Sequence, residues 1–139
     1  MKYFSFAEFE RSDTAERSGI DNRMPEDVKS NVTALVDNVL DPLRQMWGKP
    51  ITVTSGYRCP KLNKAVGGAA TSQHVQGQAA DITTGNYVDN ARLFQMLLDS
   101  RLPFDQLIFE RGSIKTGPAW IHISFKAVGH NRRQIIYSL

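Results

Sequence analysis

Three residues carry metal-binding chemistry at a spacing that lets them converge: His74, Asp81 and His122. His74 and Asp81 stand seven residues apart with Gly77 between them, and Asp81 lies in an apolar, strand-like run from Ala79 to Ile82. A loop histidine and a strand aspartate meet if the chain between them reverses sharply, which glycine permits because it adopts positive φ at little cost. His122 is the only histidine of a second strand-like run, WIHIS from Trp120 to Ser124, and completes the set. Two imidazoles and one carboxylate leave tetrahedral zinc one open position for water, the arrangement of a catalytic rather than a structural site. Taken singly, each of the three is a weak candidate, since a solitary histidine is usually an ordinary polar surface or core residue, and the plainer reading of the set is a structural metal or none.

The residues around them are more specific than the spacing. The stretch SGYRCPKLNKAVGGAATSQHVQGQAADI, from Ser55 to Ile82, resembles the signature of the M15 group of zinc D,D-carboxypeptidases and peptidoglycan peptidases, especially its small phage and prophage members. The segments SQH..GQAADITT, FDQLIFE and WIHIS also resemble the zinc half-site of the hedgehog signalling domain, a structural relative of those peptidases. The matches run from about Ile51 to Phe125. The resemblance implies an α+β fold of the hedgehog/D,D-peptidase type, an antiparallel sheet flanked by helices, with one Zn2+ per chain on His74, Asp81 and His122. It implies hydrolysis of an amide bond in peptidoglycan stem peptides, by a D-Ala-D-Ala carboxypeptidase or an endolysin-type endopeptidase. The alternative is a non-catalytic zinc-containing module that binds cell wall or protein, since the hedgehog domain keeps this geometry in a signalling role.

The proton-transfer residue departs from the family pattern. Many M15 peptidases place an acid two or three positions before the last histidine ligand, or a second histidine two before it; here those positions hold Ala119 and Trp120. By resemblance to the hedgehog strand ending in glutamate, Glu110 takes the role, with Asp105 as the alternative. Arg58 carries a planar guanidinium suited to bidentate capture of a carboxylate, and it matches the substrate-anchoring arginine of the family's GYR motif; pairing with a local acid is the other reading. Tyr57 beside it and Ser72, which resembles a family serine that hydrogen-bonds substrate, are further substrate-binding candidates; Ser72 reads equally as a loop cap. Trp120 is a cleft wall or a core side chain, and Asn63 and Gln78 are supporting groups. Cys59, the only cysteine, excludes an internal disulfide and a cysteine-based zinc cluster, and reads as a packed thiol. His130, in polar VGHNRR, is not counted as a ligand. Arg111, Lys115, Lys126, Arg132 and Arg133 read as a solvated face rather than a wall-polymer patch.

These residues need a scaffold, and 139 residues with 41% hydrophobic and 22% charged composition suit one globular domain, 1–139. No apolar run reaches the length of a membrane span, so a soluble chain is expected, with a monomer favoured. The N-terminus lacks an apolar h-region, which predicts cytoplasmic synthesis without a signal peptide and delivery to the wall by a separate factor. A net charge of +3 is the only hint of nucleic acid, and no nucleic-acid motif accompanies it. The pattern predicts a capped helix over Phe6–Glu10, a polar loop over Ser12–Asn22, and a long amphipathic helix from Pro25 to Trp47 that Pro42 kinks or divides before Gly48 ends it. A strand over Ile51–Ser55, a short helix over Lys61–Val66 and a strand over Ala79–Thr83 follow. A helix over Val88–Ser100 and strands over Gln106–Glu110, Trp120–Phe125 and Gln134–Ser138 complete an α+β chain with a largely antiparallel sheet.

Overall fold

The computed structural model describes residues 1–139, with six α-helices, one π-helical turn and a five-stranded sheet. Helix α1, Phe6–Glu10, starts as its capping residues dictate: Ser5 Oγ accepts the Glu8 N–H at 3.3 Å. It buries Phe9 completely. The expected loop after it contains a second helix, α2, Asp13–Ser18, capped by Ser12 and closed by Gly19 in the left-handed region. Ala15 is its only buried residue, so the segment has no apolar stripe and its caps are the sole local signal.

The long amphipathic helix is continuous. Helix α3, Glu26–Leu35, passes through a π-helical turn, Val36–Leu40, into α4, Asp41–Trp47, which ends at Gly48 with φ 75°. Pro42 therefore does not divide the helix. The Asp41 N–H reaches back to the Val36 carbonyl, five residues away, so the ordinary ladder is already shifted where proline removes a donor and crowds the preceding turn. Val32, Leu35, Val36, Val39, Leu40 and Leu43 are all fully buried along this rod.

Strands β1 (Thr52–Ser55), β2 (Ala79–Thr83), β3 (Gln106–Ser113), β4 (Gly117–Ser124) and β5 (Gln134–Ser138) form one sheet in the order β1-β2-β4-β3-β5. Three of its pairings are antiparallel, and β5 runs parallel to β3, in agreement with an α+β, largely antiparallel fold. Strands β3 and β4 extend beyond the expected ends and meet in a tight hairpin at Ser113–Gly117. Alternation gives the sheet two chemistries. Ala80, Ile82, Leu107, Phe109, Ile121 and Ile123 join the core with residues of the long helix and of α6, Tyr87–Asp99. Asp81, Ile108, Glu110, Trp120 and His122 alternate with them and face the other way. Helix α5, Pro60–Ala65, and the loop after it lie on that side, and Cys59 Sγ caps α5 by accepting the Leu62 N–H.

The loop between α5 and β2 is pressed against α3. Asn31 Nδ2 donates to the Gln76 carbonyl at 2.8 Å, and Gly77, with φ 73°, sits so close to Val28 that a Cβ would meet its Cγ1 at 2.7 Å and its carbonyl oxygen at 2.8 Å. Gly77→Ala combines a left-handed conformation costing about 1–2 kcal/mol with overpacking of about 1–3 kcal/mol. It is expected to lower the unfolding free energy by roughly 2–5 kcal/mol, read as a lowered midpoint in denaturant at unchanged slope. An alanine variant as stable as wild type would show that this contact relaxes freely.

Candidate metal centre and its cleft

Strand pairing creates half of the site. Asp81 on β2 lies directly opposite His122 on β4, and Ile108 on β3 lies on the other side of His122. The Asp81 Oδ1 to His122 Nδ1 distance is 3.1 Å. His74 arrives from the loop: its Nδ1 donates to the Gly56 carbonyl at 2.7 Å, its Nε2 lies 3.4 Å from Asp81 Oδ1, and its ring packs edge-on against His122 at 5.1 Å. The Gly56 contact orients the ring so that Nε2 carries the free lone pair, the usual outer support of a metal-binding histidine. One donor atom from each of the three residues lies within 4.8 Å of the others.

This donor set fits zinc. Burial alone would push the Asp81 carboxyl up, but its close contacts with the imidazoles of His122 and His74 outweigh it and hold the group well below the usual carboxylate range. An ionised oxygen and two imidazole nitrogens are thus gathered with little further movement needed, and together they offer the nitrogen and oxygen ligands that zinc prefers.

The three residues line a cleft of about 630 Å³ shared with Arg58, Ser72, Glu110 and Trp120. Glu110 is opposite Trp120 in the β3–β4 register and hence diagonal to His122. Burial first, and the charge of Asp81 second, raise its carboxyl above the ordinary value. Arg58 has no carboxylate partner within the chain. Its NH1 donates to Asn63 Oδ1 at 3.0 Å and its Nε to Ser55 Oγ at 3.4 Å, and burial lowers its pKa. Asn63 in turn donates to the Ala69 carbonyl at 2.8 Å, so it fixes both the guanidinium and the cleft loop. Ser72 Oγ accepts the His74 N–H at 3.2 Å, which makes it a cap of the ligand loop that also faces the cleft.

Other candidates lie elsewhere or are engaged. Tyr57 is buried in the core and borders a second groove with Arg11 and Arg17 rather than the main cleft. Gln78 contributes its backbone, accepting the Phe125 N–H and donating to the Gln73 carbonyl. Asp105 is fully buried and held by Arg132 through two side-chain hydrogen bonds of 3.0 and 2.8 Å, by Gln73 at 2.9 Å and by Lys126 at 3.7 Å. These contacts, Arg132 foremost, keep its carboxyl well below the usual range. The expected solvated basic face is correspondingly reduced: Lys126 and Arg132 serve Asp105, while Arg133 lies over the Phe104 ring at 4.3 Å and donates to the Leu102 and Ser100 carbonyls. The Asp105 cluster is the feature that reading the sequence missed, and its signal, an acid in an otherwise apolar strand entry, was indistinguishable from that of Glu110.

A family model described as Peptidase M15 matches residues 2–124. The zinc D-Ala-D-Ala carboxypeptidase of Streptomyces albus G is 46% identical over 48 residues, 34% of this chain and 19% of that protein. The match thus spans about a fifth of the relative's length.

Chelator-treated protein is expected to take up one Zn2+ per chain, measured by elemental analysis after gel filtration. Asp81→Ala and His74→Ala are each expected to lose it, and stoichiometric zinc in either variant would remove that residue from the ligand set.

Proposed function

The chain belongs to the peptidase M15 family, and from that premise we propose that it is a zinc metallopeptidase that hydrolyses an amide bond in peptidoglycan stem peptides. The observation that carries the proposal is a His/Asp/His donor set lining a cleft that also contains a carboxylate outside any ion pair, Glu110, and an arginine without an acidic partner. Zinc supplies Lewis acidity when bound to such a set, polarising a carbonyl and making water a nucleophile near neutral pH. His74, Asp81 and His122 would hold it, with Gly56 fixing the tautomer of His74.

Glu110 is the proton carrier. Its raised pKa brings it nearer the operating pH, where a carboxylate accepts a proton from water and returns it to the departing amine with the least mismatch. Asp105 is less suited, because Arg132, Gln73 and Lys126 occupy its oxygens. Arg58 binds a substrate carboxylate: it is half-buried, pre-oriented by Asn63 and Ser55, and lacks an internal counter-ion. The named relative is a D-Ala-D-Ala carboxypeptidase, which supports a substrate with a free terminal carboxylate. Ser72 and Trp120 border the same cleft as further substrate contacts, and the extent of the family match supports a single peptidase domain.

Incubating zinc-loaded protein with purified stem-peptide fragments and weighing the products tests the proposal directly. Zinc uptake and fragment binding without any new product would leave a binding module. Glu110→Gln is expected to lower kcat by about 10²-fold or more at unchanged zinc content; full activity in this variant would place the base elsewhere. Arg58→Ala removes a charge-assisted contact of about 1.5–3 kcal/mol, and is expected to raise KM more than it lowers kcat. An unchanged KM on a peptide with a free carboxylate would make Arg58 a structural residue.

A further inference from the structure

Two buried side-chain polar atoms have no hydrogen-bond partner within the chain, Gln73 Oε1 and Trp120 Nε1, and both residues line the metal cleft. Buried polar groups are otherwise satisfied almost everywhere in folded proteins, because an unmet one loses its hydration without compensation. Gln73 cannot relieve its case by turning over. Its Nε2 donates to Asp105 Oδ2 at 2.9 Å, and an ionised carboxylate accepts but does not donate, so Oε1 is the atom left without a partner. Asp105 is itself immobilised by Arg132, so the amide is held from behind. The residues that carry the two orphan atoms are anchored on opposite sides of His122 along β4. Trp120, His122 and Ser124 are alternate residues of β4 and share a face, and Gln73 is tethered through Asp105 to the Ser124 end, where the Asp105 N–H donates to the Ser124 carbonyl at 2.7 Å.

We propose that Gln73 Oε1 and Trp120 Nε1 read the backbone of the bound peptide, the first accepting an amide N–H and the second donating to a carbonyl on the opposite side of the metal site. An acceptor and a donor flanking a hydrolytic centre match the two polar groups that every peptide unit presents, and they register the chain whatever its side chains. Asp105 acts through Gln73 as a positioning residue. This gives its buried ion pair a role beyond stability, and explains why an acid that is unsuited to proton transfer borders the cleft. The inference rests on the peptidase reading above and adds the groups that place the substrate.

The test pairs enzyme variants with substrate analogues. Gln73→Lys retains a donor to Asp105 and has no acceptor; Trp120→Phe keeps the ring and loses the N–H. Stem-peptide fragments in which one non-scissile amide at a time is replaced by an ester lose a single N–H without added bulk, and mass spectrometry reports which bond is cut. Gln73→Lys is expected to lower kcat/KM on the parent peptide about tenfold, equivalent to about 1.4 kcal/mol, with wild-type zinc content and thermal midpoint. One ester should cost the wild type a similar factor and cost Gln73→Lys nothing further, a coupling that a merely structural glutamine would not produce. Trp120→Phe should show a loss of similar size that is independent of that ester. If Gln73→Lys folds poorly, Gln73→Leu and the ester series on wild type carry the same comparison. Equal ester penalties in wild type and variant, or full activity in both variants, would overturn the assignment. Failure of zinc-loaded wild type to cut the parent peptide would instead overturn the peptidase reading, and this inference with it.

Discussion

Asp81 and His122 face each other across β2 and β4, and the candidate metal centre depends on that one cross-strand pairing. Side chains alternate along a strand, so the register that turns Ala80, Ile82, Ile121 and Ile123 into the core is the same register that turns Asp81 and His122 out of it. The hydrophobic effect therefore sets the ligand geometry without any ligand-specific force: a slip of one residue would drive an ionised carboxylate into the apolar layer. Burying Asp81 is costly by itself, and the two imidazoles offset the cost by direct contact. The same three groups that suit a metal thus also stabilise one another.

His74 has no strand to place it, and the chain uses a different device. The loop that carries it is clamped at several points: Gly77 against Val28, Asn31 on the Gln76 carbonyl, Ser72 on the His74 N–H, and Gly56 on the imidazole. Gln73, the neighbour of His74, is clamped by Asp105, whose other partner Arg132 leads into β5. A loop held by so many independent contacts can present a ligand with the precision of a regular element. The π-helical rod, the sheet edge and the cleft are connected through this one segment.

The convergence of His74, Asp81 and His122 was legible in the sequence because residue type and strand alternation are local properties: an Asp and a His in two apolar runs, with a loop His close before the first, sufficed to suggest it. The elements were legible where caps or periodicity were strong, as at Ser5, at Gly48 and along Val32–Leu43. Helix α2 was hidden because it buries a single alanine. The parallel placement of β5 was hidden because it depends on the path of the chain after β4 rather than on any property of Gln134–Ser138. Asp105 and Glu110 looked alike, five residues apart in one segment. What separates them is Arg132, 27 residues downstream from Asp105, and no local pattern announces such a pairing.

The π-helical turn has a consequence for how the rod tolerates change. An ideal α-helix advances about 100° per residue, so the 19 steps from Val28 to Trp47 would leave Trp47 roughly 100° around the axis from Val28. The wider turn at Val36–Leu40 winds more slowly and returns much of that angle, so it works like a vernier that brings the two halves of a screw back into phase. Rewinding that turn as ordinary α-helix with no residue removed would make the backbone more regular and the packing worse, because it would rotate Leu43 and Trp47 out of line with Val28 and Val32. The irregular turn is the locally less favourable winding that keeps a single helix in step with both the ligand loop at one end and the apolar layer at the other.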